Sequence, residues 1–114
     1  MFSERTILRL RDVIFYADLA IDYVGDSSVG PFAADRKSQL AFERCLQCIT
    51  EAIVQIGTDD FAAVAPDAEL AKMGGLGNLL RHEYRRIDTR VIYETVVADV
   101  PPLRAACITA LANQ

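Results

Sequence analysis

The densest set of side chains able to do chemistry is the run Arg81-His82-Glu83-Tyr84-Arg85-Arg86, which holds the chain's only histidine. On a helix, Asn78, Arg81, His82 and Arg85 share one face by the i, i+3, i+4, i+7 rule, with Tyr84 off that face. Between residues 78 and 90, four Arg stand against Glu83 and Asp88, a local charge of +2 in a chain of net charge −4. Histidine can move a 2′-hydroxyl proton near neutral pH. An adjacent guanidinium can stabilise the charge that builds on a phosphorane. RNA cleavage needs little more and no metal, because the 2′-hydroxyl of the substrate is the nucleophile. The same spacing also describes a solvated, salt-bridged helix face on which the His merely packs.

Two further constellations carry less chemistry. Cys45-x-x-Cys48, with Cys107 and His82, has the residue types of a four-ligand zinc site. But Cys45 falls on an apolar helical stripe with no glycine-bearing knuckle around the pair, and buried cysteines commonly behave as small hydrophobes. Gly74-Gly75-Leu76-Gly77 could cradle phosphate through backbone N–H groups. No strand precedes it and no Lys-Ser/Thr follows, so a kink or a close helix approach fits it better.

The elements that must position these residues read as helices. Ser3 and Glu4 form a start signal. Ile7, Leu10, Ile14, Ala17, Ile21 and Val24 then recur at spacings of three and four, and Gly25 supplies the stop. Residues 25–31 (GDSSVGP) read as a loop. A second helix runs from about Asp35 to Ile56, with Phe42, Cys45, Ile49, Ala52 and Ile56 as its stripe and Gly57 as its stop. Glu43, Arg44 and Glu51 interrupt that otherwise apolar helix. The stretch 58–69 is acidic, and Pro66 breaks it. Asp67 could cap a helix that begins at Ala68, and residues 78–87 are helix-compatible. Asp88 and Thr89 offer the next cap. Residues 90–98 are rich in Val and Ile, yet a helix fits better than an isolated strand without a partner. Pro101 and Pro102 suit the first turn of a last helix with Leu103, Ala106, Cys107 and Ala110 as its stripe. The expectation is one all-α domain over residues 1–114, an up-and-down bundle of about five helices.

Composition narrows the function classes. Hydrophobic residues make up 52% of the 114 residues, which excludes a disordered chain. A generic nucleic-acid-binding domain would be basic overall, so any such contact here must come from a local patch. Ten of the twelve basic residues are Arg, which favours planar, bidentate recognition of phosphate or carboxylate. Three cysteines, an odd number, argue against a disulfide framework. No signal peptide and no membrane span are expected, and the reading is a cytoplasmic protein.

The segment Leu76-Gly77-Asn78-Leu79-Leu80-Arg81-His82-Glu83-Tyr84 resembles the HepT-like branch of the HEPN superfamily. The resemblance extends over nearly the whole chain. Leu10 to Ile14 looks like that family's first helix. Phe32, Ala41 to Arg44 and Thr50 to Ala52 look like its second, and Ile87-Asp88 and Val100-Pro101-Pro102-Leu103 like its last third. It implies an all-α protein that usually dimerises and cleaves RNA, tRNA being one candidate, without metal or other cofactor. It further implies the toxin of a two-component toxin–antitoxin module. The partner would be a small nucleotidyltransferase antitoxin that can silence it by adding AMP to a tyrosine. On this sequence the catalytic histidine would be His82 and the modified tyrosine Tyr84. Asn78 would contact phosphate or substrate, Arg81 would join it in the catalytic set, and Arg81 and Arg85 would clamp RNA. Glu43 and Glu51 would lie on the helix that flanks the motif, able to orient the His or hold an Arg, and each fits an ordinary surface carboxylate at least as well. The family places an Arg four to six residues ahead of the His, where this chain has Gly75, Leu76 and Gly77. That departure keeps an alternative in view: a non-catalytic nucleotide- or RNA-binding partner subunit of a nucleotidyltransferase.

Overall fold

The computed structural model describes residues 1–25, 28–66 and 88–114. Every regular element among these residues is a helix, as expected. The two longest are α1 (Glu4–Val24) and α3 (Arg36–Ile56), each of 21 residues. Two short helices follow one long helix each: α2 (Val29–Ala34) and α4 (Thr58–Val64). The C-terminal part forms α5 (Thr89–Ala98) and α6 (Val100–Ala112).

Local chemistry sets most of these boundaries. Ser3 Oγ accepts from Thr6 N at 3.1 Å and opens α1, a cap worth about 1 kcal/mol. Gly25 closes it with φ +50° and Gly57 closes α3 with φ +93°, conformations that L side chains rarely adopt. Asp35 opens α3 by accepting from Lys37 N at 3.1 Å and Ser38 N at 3.3 Å, while Ser38 Oγ donates to it at 2.7 Å. Asp88 opens α5 by accepting from Arg90 N at 2.9 Å. Pro101 and Pro102 lie in the first turn of α6, as their type demands.

α1 packs most extensively on α3 and next on α6, and α5 bridges α6, α1, α2 and α3. The core runs between them. Leu10, Val13, Ala17 and Ala20 of α1, Phe61 of α4 and Cys107 of α6 are wholly buried. The ring of Phe42 of α3 packs tilted against Phe32 of α2 with centroids 4.5 Å apart, and edge-to-face with Tyr23 of α1 at 5.9 Å. Thr6 Oγ1 donates to Asp60 Oδ2 at 3.2 Å, which ties the start of α1 to α4. Phe2 N donates to Gln114 Oε1 at 2.8 Å, bringing the two ends of the chain together.

Two expectations need correction, and residues 58–64, for which the sequence points to no particular element, form a helix. Residues 29–31 are not loop, because Val29–Ala34 is helical. Phe32 is buried there, and Gln39 Nε2 donates to the carbonyls of Phe32 and Ala33, satisfying the end of α2. The acidic stretch begins as a helix, with Asp59 and Asp60 in its first turn where the helix dipole favours them. It stops at Val64 because Ala65 precedes Pro66, which disfavours helical backbone. The buried face of α1 is centred on Thr6, Val13 and Ala20 as well as Leu10, Ala17 and Val24, while Ile7, Ile14 and Ile21 flank it half-buried.

By length and composition alone Thr89–Ala112 is apolar enough to cross a membrane, with a mean hydropathy of 1.3. Here it is two helices that meet at Asp99. Ile92, Val96, Val100, Leu103 and Cys107 are buried in the core, and Arg104 is ion-paired with Asp18 of α1.

Candidate functional site

Asn78, Arg81, His82, Tyr84 and Arg85 lie outside the described residues, as do the glycine run and the helices expected from Ala68 and Asn78. What is described are the two ends that hold this segment in the chain, α4 before it and the Asp88 cap after it, and the helix surfaces around the core.

The polar strip along α3 is the best-formed of these surfaces. Arg44 Nη1 donates to Gln47 Oε1 at 3.2 Å, and Gln47 Nε2 donates to Glu51 Oε1 at 3.5 Å. The spacing of three and then four puts these groups on one helix face. The guanidinium of Arg44 is thereby oriented by a neutral amide, so its charge is not cancelled by that contact. At the edge of the strip, Tyr16 of α1 lies beside Cys48 of α3. Its interaction with Cys48, with burial adding to it, raises the Tyr16 phenol from its ordinary value. Asp12, one turn before Tyr16, is paired with Arg9 at 3.0 Å. Glu43 is half-buried, and loss of solvent pushes its carboxyl up despite the opposing charge of Arg36.

The cysteines do not assemble. All three are free thiols, with Cys45 and Cys107 buried and Cys48 half-buried. Burial raises Cys45, and it pushes Cys107 up to about 11. A zinc ligand must be a thiolate, and these two are held as thiols in the core. Among the described residues no three His, Cys, Asp or Glu side chains group as a metal site. A cavity of about 90 Å³ lies by Tyr23, Phe32, Phe42 and Tyr93, well below the few hundred Å³ of a typical ligand pocket.

Sequence reading singled out Glu43, Arg44 and Glu51 but missed Gln47, which joins two of them. The signal was the spacing of residues 44, 47 and 51. The approach of Tyr16 to Cys48 crosses between helices and has no local signal.

The profile described as "Ribonuclease HepT-like" matches residues 13–110. The chain belongs to the HepT-like family. A Thermococcus cleftensis protein named "Probable ribonuclease HepT" is 30% identical over 95 residues, covering 83% of this chain and 86% of that protein. Two Methanocaldococcus jannaschii proteins whose names give them a provisional RNase assignment are 26% and 30% identical over 95 residues each. They cover 83% of this chain and 81% and 86% of their own lengths. No solved structure matches the chain.

Proposed function

We propose that this HepT-like chain is a metal-independent endoribonuclease, the toxin of a two-component module whose nucleotidyltransferase antitoxin silences it by AMPylation. The observation that carries the reading is the family match over residues 13–110, which includes the segment bearing Asn78, Arg81, His82, Tyr84 and Arg85. His82 takes the 2′-hydroxyl proton of the RNA. The 2′-oxygen then bonds to the adjacent phosphorus, and the bond from phosphorus to the 5′-oxygen breaks. The leaving oxygen takes a proton back, giving a 2′,3′-cyclic phosphate and a 5′-hydroxyl. Arg81 and Arg85 stabilise the charge on phosphorus, and Asn78 contacts the phosphate. AMP on Tyr84, two residues from the acid/base, adds bulk and negative charge that would repel RNA. The working form is a cytoplasmic homodimer, in which two patches of +2 face one substrate despite the acidic remainder.

The glycine-rich positions where the family carries its Arg favour a second reading, in which the chain binds RNA or nucleotide beside a nucleotidyltransferase without cleaving. Expression in cells separates the two. The first requires growth arrest that His82→Ala abolishes and co-expression of the nucleotidyltransferase relieves. Absence of arrest, with RNA or ATP bound but not turned over, supports the second.

A further inference from the structure

Aromatic rings from four helices meet around the cavity of about 90 Å³. Tyr23 comes from the last turn of α1, Phe32 from α2, Phe42 from α3 and Tyr93 from α5. Phe32 and Phe42, 4% and 1% exposed, form its floor. Tyr23, Pro31 and Asp35, all exposed, form its mouth. Phe32 and Phe42 lie 4.5 Å apart with their planes at 44°, Tyr23 meets Phe42 edge-on at 5.9 Å, and Tyr93 is 5.5 Å from Phe32. The rings brace one another at different inclinations, so they wall the cavity on several sides instead of stacking flat.

Size selects what fits. An apolar cavity of roughly 150 Å³ takes benzene, so this one takes about three or four non-hydrogen atoms. That excludes a nucleobase and admits a compact head group whose tail leaves through the mouth.

Electrostatics select its charge. Oδ1 of Asp35 accepts from Lys37 N and Ser38 N, whereas Oδ2 accepts only from Ser38 Oγ and keeps a lone pair. The Ser38 hydroxyl foremost, then the Ser38 amide, hold this carboxyl below its ordinary range, so it is ionised at neutral pH. Lys37 lies close by, yet Asp35 forms no ion pair among the described residues. Tyr23 and Val24 belong to the last turn of α1, the negative end of its dipole, where the helix carries no basic residue. α2 also ends at the cavity without one. The positive start of α3 opposes them, and Asp35 caps it. Ring faces carry negative charge density and attract a cation within about 6 Å of their centres.

We propose that this cavity binds the head group of an alkylammonium ion, with the four rings around its methyl or methylene groups and Asp35 beside its charge. None of these residues belongs to the motif around His82, so the site stands whether or not the chain cleaves RNA.

Titration of the full chain with tetramethylammonium chloride at constant ionic strength, followed by proton NMR, tests this. The methyl resonance should move upfield as it enters the ring currents, with saturation transferred to it from aromatic protons. tert-Butanol, similar in shape but neutral, should bind at least about tenfold more weakly. Tyr23→Leu keeps apolar bulk without a ring face and should weaken binding about two- to thirtyfold. Asp35→Asn, which preserves a helix cap, should also weaken it. Both variants should keep the wild-type helical circular dichroism. A peptide bearing trimethyllysine separates two sources of the same head group. Affinity equal to that of tetramethylammonium supports a free amine, and tighter binding supports a side chain of a partner protein. No upfield shift across a millimolar titration would overturn the proposal. So would equal binding of tert-butanol, or binding indifferent to both variants.

Discussion

Replacing Cys107 by Ala should make the protein less stable at neutral pH and more stable at high pH. Cys107 has no exposed surface, and its thiol is pushed up to about 11 from an ordinary value of 9.0 because burial disfavours the thiolate. Below pH 9 both folded and unfolded chains keep the proton, and the thiol adds no pH dependence. Between pH 9 and 11 the unfolded chain loses the proton while the folded chain keeps it, so stability falls as pH rises. The slope is about 1.4 kcal/mol per pH unit, or about 2.7 kcal/mol over the interval. Cys107→Ala removes this dependence and leaves a small void, at a cost of about 1 kcal/mol that does not vary with pH. The two stability curves should therefore cross at about pH 10. Urea unfolding of both proteins under reducing conditions at pH 8, 9, 10 and 11 measures this. A stability difference that stays constant from pH 8 to 11 would refute the argument, because the thiol would then titrate alike in both states and could not be sealed in the core.

Other outcomes follow from the same packing. Phe42→Ala should cost about 3–5 kcal/mol as its ring leaves Phe32 and Tyr23 unsupported, and calorimetry should find the melting temperature lowered by about 12–20 °C at this chain length. Glu43→Gln should raise stability at pH 7. The folded carboxyl is raised, so its ionisation opposes folding above its pKa, and the urea midpoints of variant and wild type should converge on acidification through that pKa. A double-mutant cycle on Asp18→Asn and Arg104→Ala should give a coupling below about 1 kcal/mol, since both side chains remain partly solvated.

The helix ends were legible because they depend on local chemistry. Ser3, Asp35 and Asp88 accept from backbone N–H groups two or three residues on, and Gly25 and Gly57 take positive φ. The helical reading of residues 90–98 also held, despite their Val and Ile content. The short helices were not legible. α2 and α4 have few residues and are held by the burial of Phe32 and Phe61 against distant elements, which no local periodicity reports. The centre of the α1 stripe was misplaced for a related reason. Spacing identifies an apolar face, but α1 is gripped by both α3 and α6, and small Ala17 and Ala20 occupy the close approach while larger Ile side chains flank it. On the α3 strip, charge pattern pointed to Arg44 and Glu51, whereas the neutral Gln47 that connects them carried no charge signal. The motif around His82 was legible as residue types and spacing, and its reading rests on those.

RNA cleavage by chelator-treated protein, with wild type beside His82→Ala on total tRNA and a mixed RNA substrate, decides whether this chain is a His82-dependent ribonuclease. The wild type should cleave and leave 2′,3′-cyclic phosphate ends, with cleavage reduced about 10²- to 10⁴-fold in His82→Ala. Equal cleavage by both, or none by a wild type whose Tyr84 mass spectrometry finds unmodified, would contradict that reading.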